Sequence, residues 1–160
     1  MVGEVSLRPS TDRDGELLAR IYASTRADEL AALPWDDASK DAFVAQQHAA
    51  QNAHWAAHYA GGDHSVVQVD GVDAGRLVVL RSETDIRMVD IAILPGLRGQ
   101  GVGTRLLADL LAEADTTGRT VSLHVALGRP AVRWYERLGF AVVRQHGADY
   151  LMERQPNTAS

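Results

Sequence analysis

The segment of the sequence best suited to chemistry is a glycine-rich turn between an apolar run and an amphipathic stretch. It reads Ile91-Ala92-Ile93-Leu94-Pro95-Gly96-Leu97-Arg98-Gly99-Gln100-Gly101-Val102-Gly103-Thr104. The first amide groups of a helix have no intrahelical partners and lie at the positive end of the helix dipole. Glycines let such a backbone approach a ligand closely. A strand that runs into this turn and then into a helix therefore indicates a site for a phosphate group.

Three kinds of phosphate site can use a turn of this kind. A P-loop ends in Gly-Lys-Ser/Thr, and this stretch contains no lysine. A dinucleotide-binding turn has a third glycine where this chain has Thr104, and it normally opens the first strand–helix unit of its fold. The third kind, a loop that holds the pyrophosphate of an acyl-coenzyme A, is compatible with the residues. A glycine turn is a weak signal by itself, so the choice depends on the rest of the chain.

A second motif lies downstream of the turn. It reads Gly128-Arg129-Pro130-Ala131-Val132-Arg133-Trp134-Tyr135-Glu136-Arg137-Leu138-Gly139-Phe140. This segment closely resembles the late helix and following strand of the GNAT superfamily of N-acetyltransferases, where the pattern is Asn-x-x-Ala, an aromatic-Tyr pair and Leu-Gly-Phe. Arg98-x-x-Gly101-x-Gly103 resembles the same family's Arg/Gln-x-x-Gly-x-Gly/Ala loop. One helix and one strand separate the two motifs, as in the family, and the specific resemblance covers about residues 86–140.

The resemblance implies that acetyl-coenzyme A is the co-substrate. It implies that the strand before the turn pairs with the pantetheine arm and leaves an amide near the thioester carbonyl. It also implies that the turn cradles the pyrophosphate, mainly through backbone N–H groups. The residues expected to bind acetyl-CoA are Ile91, Ala92, Ile93, Arg98, Gly99, Gln100, Gly101, Val102, Gly103 and Thr104. Gly128 stands where the family has asparagine, so that side-chain contact to the cofactor is absent.

Two residues are candidates for proton transfer. Tyr135 matches the family tyrosine that lies near the sulfur and protonates the leaving thiolate, although a packing role beside Trp134 explains it too. His124 lies on a predicted strand, where alternation turns it away from the face of Leu123 and Val125. It occupies the position of a glutamate base in some relatives. Asp90, or a water relay, is the alternative base.

The acceptor side of the site is less clearly marked. The segment from Tyr22 to Trp35 resembles the variable substrate-side helices of the family. The residues that we expect to line the acceptor pocket are Tyr22, Arg26, Glu29 and Trp35. An amphipathic helix with a tryptophan anchor explains the same residues. His54 and His58 have the spacing of a metal pair, but Trp55 replaces the glutamate of a zinc-protease helix, and we predict no metal site.

Periodicity predicts the elements that position these residues, in the order β-α-α-β-β-β-α-β-α-β-β. This order implies an α/β fold with a sheet of mixed direction and helices on both faces. The resemblance sharpens it to the GNAT acyl-CoA N-acyltransferase fold, with a mixed, mostly antiparallel central sheet flanked by helices. The predicted strands are 4–9, 65–69, 75–80, 88–94, 121–125, 141–143 and 150–152. The predicted helices begin near residues 12, 39, 102 and 130.

Composition limits the function classes. A chain of 160 residues fits a single N-acetyltransferase domain, which we place at residues 1–154, with a frayed tail at 155–160. The absence of cysteine excludes disulfides, thiolate zinc sites and cysteine nucleophiles. A net charge of −5 argues against nucleic-acid binding. No apolar run approaches the ~18 residues that span a bilayer and the N-terminus lacks a signal core, so we expect a cytoplasmic protein with no membrane partner.

The sequence thus predicts an enzyme that moves an acetyl group from acetyl-CoA to a primary amine of a small molecule, by direct transfer in a ternary complex. The alternatives are acetylation of a protein or peptide, transfer of another acyl group, and a non-catalytic acyl-CoA sensor on the same fold. Arginines predominate over residues 98–144 and acidic residues before them, which suits a phosphate-bearing and a cationic ligand respectively. Two solvated faces of mixed charge explain this distribution as well. The sequence names neither the acceptor nor the oligomeric state, and a homodimer is one option.

Overall fold

Seven strands and four α-helices follow one another along residues 3–157, the part of the chain that the computed structural model describes, in the order predicted from the sequence. The strands are β1 Val5–Pro9, β2 Asp63–Val69, β3 Val72–Arg81, β4 Asp85–Ile93, β5 Thr120–Ala126, β6 Ala141–His146 and β7 Asp149–Arg154. The α-helices are α1 Gly15–Ala31, α2 Asp37–His58, α3 Val102–Thr117 and α4 Ala131–Arg137. Short 3-10 turns occupy Asp12–Asp14 and Pro95–Leu97. The last three residues of the predicted frayed tail, 158–160, lie outside the described residues.

Capping residues set the helix starts, and they account for the differences from the predicted bounds. The helix expected from residue 12 begins instead as a 3-10 turn, because the amide of Thr11 donates to the Asp14 carboxylate at 2.8 Å and closes a capping box. Helix α2 begins at Asp37 rather than near residue 39. The Asp36 carboxylate accepts a hydrogen bond from the amide of Ser39 at 2.7 Å and so acts as the N-cap.

The strands form one sheet in the order β1-β2-β3-β4-β5-β7-β6. Strand β5 runs parallel to β4. The pairs β1–β2, β5–β7 and β6–β7 are antiparallel. The prediction of a mixed, mostly antiparallel α/β sheet flanked by helices is confirmed.

The chain divides into two compact units that interleave along the sequence. The N-terminal unit comprises the chain up to Val78 together with Asp90–Val102, and the C-terminal unit comprises Val79–Val89 and the chain from Gly103 onward. The fully buried core side chains of the N-terminal unit include Ile21, Val66, Val67 and Val78. Those of the C-terminal unit include Ile86, Leu107, Val121, Leu123 and Met152. A single domain over residues 1–154 stays a prediction.

None of the helices in residues 3–157 combines the length and the apolar character that crossing a bilayer requires.

Candidate active site

Strand β4 is held by β5 over only part of its length. The parallel register covers three residue pairs and ends at Arg87 opposite Ser122. The last residues of β4 lie beyond that register, and there Ala92 is buried whereas Ile91 and Ile93 are half-buried. The amide that follows β4, of Leu94, donates to the Ala74 carbonyl at 2.8 Å and holds this end of the strand on β3 within the N-terminal unit.

The glycine turn owes its shape to two left-handed residues. Gly99 has a φ of 75° and Gly101 a φ of 83°, a backbone conformation that costs any other L-residue ~1–2 kcal/mol. Helix α3 begins directly afterwards at Val102, so Gly103 and Thr104 are its second and third residues. The amide groups of the turn therefore lead into those of the first helical turn, where partners are lacking. This is the arrangement that the sequence predicted for a phosphate site.

The side chain of Arg98 makes hydrogen bonds to other residues of the protein. Its Nε donates to the carbonyl of Ile93 at 2.8 Å, and one terminal nitrogen lies 3.4 Å from both the carbonyl and the hydroxyl of Ser24. The guanidinium therefore ties the turn to the end of β4 and to α1. The sequence motif does not reveal this role, because Ser24 lies 74 residues away along the chain.

Tyr135 lies on the short helix α4 in the C-terminal unit. It is 8% exposed, and its ring centroid lies 5.0 Å from that of Trp134 and 5.6 Å from that of Phe140. No hydrogen bond to its hydroxyl is found within residues 3–157. Burial raises the pKa of the Tyr135 phenol above its usual value. The hydroxyl is therefore protonated at neutral pH, which is the form that a general acid requires.

His124 lies on β5 in the same unit, and its side chain is exposed while those of Leu123 and Val125 are buried. The predicted alternation is therefore correct. The pKa of the His124 imidazole is lowered by partial burial of the ring and by the positive charge of Arg87, against a smaller opposing effect of Asp149. The ring is therefore mainly neutral at pH 7 and able to accept a proton.

Asp90, the alternative base, is paired with an arginine. The Nε of Arg76 on β3 donates to one Asp90 carboxylate oxygen at 2.8 Å. Burial raises the pKa of the Asp90 carboxyl, and Arg76 offsets part of this shift. Sequence reasoning missed Arg76. The available signal was a charged residue within the otherwise apolar run Ala74–Val79, because an arginine is almost never fully buried without a partner.

The four residues expected to line the acceptor pocket fall into two groups. Tyr22, Arg26 and Glu29 lie together on α1, where Arg26 donates to the Tyr22 hydroxyl at 3.1 Å and to the Glu29 carboxylate at 3.0 Å. Tyr22 is buried and stacks on the ring of His48 at 5.3 Å. Trp35 is 42% exposed and packs edge-on against Phe43 at 5.5 Å. Their role in acceptor binding stays a prediction.

The histidines at metal-pair spacing contact each other on α2. The ring centroids of His54 and His58 are 4.5 Å apart. Residues 3–157 contain no group of three His, Cys, Asp or Glu side chains placed to hold a metal ion.

The sequence matches the family model described as acetyltransferase (GNAT) domain over residues 51–142. No curated protein matches it significantly. The fold is similar to that of PaiA N-acetyltransferase from Thermoplasma acidophilum, solved with coenzyme A (13% identity, 95% of this chain and 99% of that chain covered, TM-score 0.67). It is also similar to the histone acetyltransferase HPA2 and related acetyltransferase from Corynebacterium glutamicum (20% identity, 100% and 99% covered, TM-score 0.69). A third likeness is to an Arabidopsis thaliana protein solved with the bisubstrate analogue CoA-Ac-MVNAL (16% identity, 94% and 98% covered, TM-score 0.60).

Proposed function

The chain belongs to the GNAT family of acetyltransferases, enzymes that transfer an acetyl group from acetyl-CoA, and we propose that its acceptor is the primary amine of a small molecule. The observation that supports acetyl-CoA binding is the main-chain geometry around the glycine turn. Strand β4 continues beyond its pairing with β5, and the left-handed Gly99 and Gly101 then lead into the start of α3. Such a chain offers unpaired amides to the cofactor at both places.

In the proposed complex, the turn and the first turn of α3 hold the pyrophosphate of acetyl-CoA through their amides. The binding residues are Gly99, Gln100, Gly101, Val102, Gly103 and Thr104. Arg98 positions them, because its amide donates to the Pro95 carbonyl at 3.3 Å and its side chain to the Ile93 carbonyl. The pantetheine arm pairs with Ile91–Ile93. An amide of this strand donates to the thioester carbonyl and stabilises the oxyanion as negative charge develops there.

The chemical step is direct transfer in a ternary complex. The amine nitrogen attacks the thioester carbonyl carbon, and His124 accepts the proton that the nitrogen loses, directly or through a water molecule. The carbon–sulfur bond then breaks. Tyr135 donates its proton to the departing thiolate. His124 then releases the proton it accepted to solvent, and Tyr135 recovers one from solvent. The products are an N-acetyl amine and the free thiol of coenzyme A. Holding both reactants in line supplies much of the acceleration.

One cavity of the N-terminal unit, with Trp55 and Arg76 in its wall, supports a small acceptor. Its volume is about 350 Å³, at the lower end of the roughly 300–1,000 Å³ of small-molecule sites. A second cavity of that unit, between α1 and α2, is larger at about 790 Å³.

A screen of acceptors tests the proposal. Amines, polyamines, amino acids and peptides are incubated with acetyl-CoA, and release of free thiol is measured together with the mass of each acceptor. We expect a mass increase of one acetyl group on at least one small amine. Acetylation of peptides alone would identify a peptide acetyltransferase. Binding of acetyl-CoA with no thiol released by any amine would identify a sensor.

A further inference from the structure

The N-terminal unit contains a cavity that the cofactor and the proton-transfer residues do not use. It lies among α2, β2 and β3 and has a volume of about 350 Å³. The tryptophan of α2, Trp55, forms part of its wall. None of its lining residues is acidic. Its polar lining residues are Ser10, His48, Asn52, His64, Ser65 and Arg76. The cavity therefore combines hydrogen-bond donors with one permanent positive charge.

Arg76 places that charge in an unusual position. Its side chain is only 5% exposed, and its guanidinium carbon lies 4.9 Å from the ring centroid of Trp55. Asp90 engages Nε, and within residues 3–157 no hydrogen bond involves the two terminal nitrogens. Asp90 and the Trp55 ring stabilise this cation. Its two terminal nitrogens remain as an open planar fork that matches the geometry of a carboxylate.

His48 forms part of the cavity wall. Its Nε2 is buried and has no hydrogen-bond partner within residues 3–157, so this nitrogen is closed to a ligand. Burial and the charge of Arg76 lower the pKa of the His48 imidazole, so the ring is mainly neutral at pH 7. The charge open to an anionic ligand is therefore that of Arg76, whose terminal nitrogens make no hydrogen bond within residues 3–157.

We propose that this cavity binds the carboxylate of the acceptor through Arg76, and that the acceptor is a free amino acid. This inference rests on the proposed function and names the substrate class of that site. Asp90, which accepts a hydrogen bond from Nε of the same guanidinium, directly precedes Ile91–Ile93 in β4. A carboxylate on the terminal nitrogens of Arg76 would therefore lie in the neighbourhood of that strand. The volume of the cavity suits one amino acid.

Matched acceptors test the carboxylate requirement in the unmodified enzyme. Phenylalanine is compared with phenylalaninamide and phenethylamine, and leucine with leucinamide and isoamylamine, so that the side chain is constant within each set. Rates are corrected for the fraction of free amine, because replacing the carboxylate also changes the pKa of the amine. We expect kcat/KM to be about tenfold or more higher for an amino acid that is a substrate than for its two analogues, because a bidentate charge-assisted contact is lost in both. Equal acetylation of all three members would overturn the amino-acid proposal and leave small-molecule acetylation intact. Preference for an aminoalkyl phosphonate over every amino acid would overturn it as well.

An arginine-to-lysine change tests whether Arg76 makes the contact. Arg76→Lys keeps a positive charge beside Asp90 but removes the planar fork. We expect KM for the amino acid to rise about tenfold, while kcat and the kinetics of the carboxamide change little. Arg8→Lys is the matched control, since Arg8 is ion-paired with Asp14 and Asp73 in the same unit and does not line the cavity. An unchanged preference for the carboxylate in a folded Arg76→Lys enzyme would overturn the assignment.

A binding measurement keeps the proposal testable if Arg76→Lys does not fold or if no acceptor is acetylated. Calorimetric titration of the unmodified protein with amino acids and with their carboxamides, in the presence of coenzyme A, needs no turnover. We expect binding of at least one amino acid and weaker binding of its carboxamide. Absence of amino-acid binding overturns the inference. Acetylation of other amines under the same conditions would show that the proposed function nevertheless holds.

Discussion

The glycine turn and the Arg76 cavity differ in the groups that they offer to a ligand. The turn, Gly96–Val102, offers main-chain amides, and Gly99 and Gly101 leave those amides uncovered. The cavity offers side chains that come from α1, α2, β2, β3 and the end of β1 and that are brought together only by folding. A main-chain site should tolerate the loss of a neighbouring side chain and respond to changes in backbone conformation. A side-chain site should respond to the removal of a single functional group.

The proposed proton-transfer residues also act through their side chains. Among them, substitution of Tyr135 should cause the largest loss of turnover. Tyr135→Phe removes one oxygen and keeps the packing of the ring against Trp134 and Phe140. We expect the turnover number to fall by ~10²–10⁴-fold, the usual contribution of a general acid. The melting temperature should barely change, because the hydroxyl has no hydrogen-bond partner within residues 3–157. Single-turnover rates and thermal denaturation measure the two quantities.

The role of Tyr135 as general acid would be contradicted if Tyr135→Phe kept at least half of the parent turnover number under conditions where the chemical step limits the rate. The tyrosine would then be a packing residue of α4. Trp134→Phe provides the matched control, since it alters the same aromatic cluster and removes no group placed in the chemistry. It should change stability more than turnover.

His124 should give a smaller loss of turnover and a change in pH dependence. The His124 side chain is exposed, so water can replace it in part, and we expect His124→Gln to lower the turnover number by ~10²-fold, the lower end of the range for a general base. The active form is the neutral ring, and its pKa is lowered below 6.5. Activity in the parent should therefore rise with pH along a limb below pH 6.5 and be level near pH 7. That limb should disappear in His124→Gln.

The pH series also distinguishes His124 from Asp90 as the general base. Asp90 is engaged by Arg76, so Asp90→Asn should lower stability by leaving the arginine without its partner, and the acidic limb should remain. Survival of the limb in His124→Gln together with its loss in Asp90→Asn would reverse the assignment. The base would then be Asp90 or a water molecule that it orients.

The sequence predicted the main-chain geometry of the turn far better than the side-chain cavity. Gly99 and Gly101 lie two residues apart, and both adopt a positive φ that favours glycine. Their spacing is therefore visible in the sequence itself. Alternation along β5 likewise placed His124 on the correct face. The cavity has no such spacing, because His48, His64 and Arg76 belong to three elements whose approach depends on the whole sheet and on α2. A charged residue in the apolar β3 run was the only local signal, and it does not say what the charge faces.

A pair of identical substitutions tests the turn as a main-chain site. Gly101 has a left-handed φ of 83°, whereas Gly96 does not, and open space surrounds the Cβ position of both. Gly101→Ala should distort the turn at a cost of ~1–2 kcal/mol and weaken acetyl-CoA binding by about tenfold. Gly96→Ala should leave the affinity unchanged. Calorimetry with acetyl-CoA on both variants decides the matter, and equal affinities would mean that the conformation of the turn does not govern binding.

Arg98 provides the strictest test, because it is the motif residue whose side chain a main-chain site does not need. Its guanidinium donates to the Ile93 carbonyl and lies near Ser24, so its loss removes contacts within the protein. A hydrogen bond contributes ~1 kcal/mol net, and Arg98→Ala should lower the melting temperature by ~2–4 °C in a domain of this size. Acetyl-CoA affinity should fall by less than in Gly101→Ala, since Gly99, Gly101 and their amides are retained. The contrary result is a larger loss of affinity than in Gly101→Ala, without loss of stability. The guanidinium itself would then bind the cofactor, and the contrast between main-chain and side-chain sites would not hold at this turn.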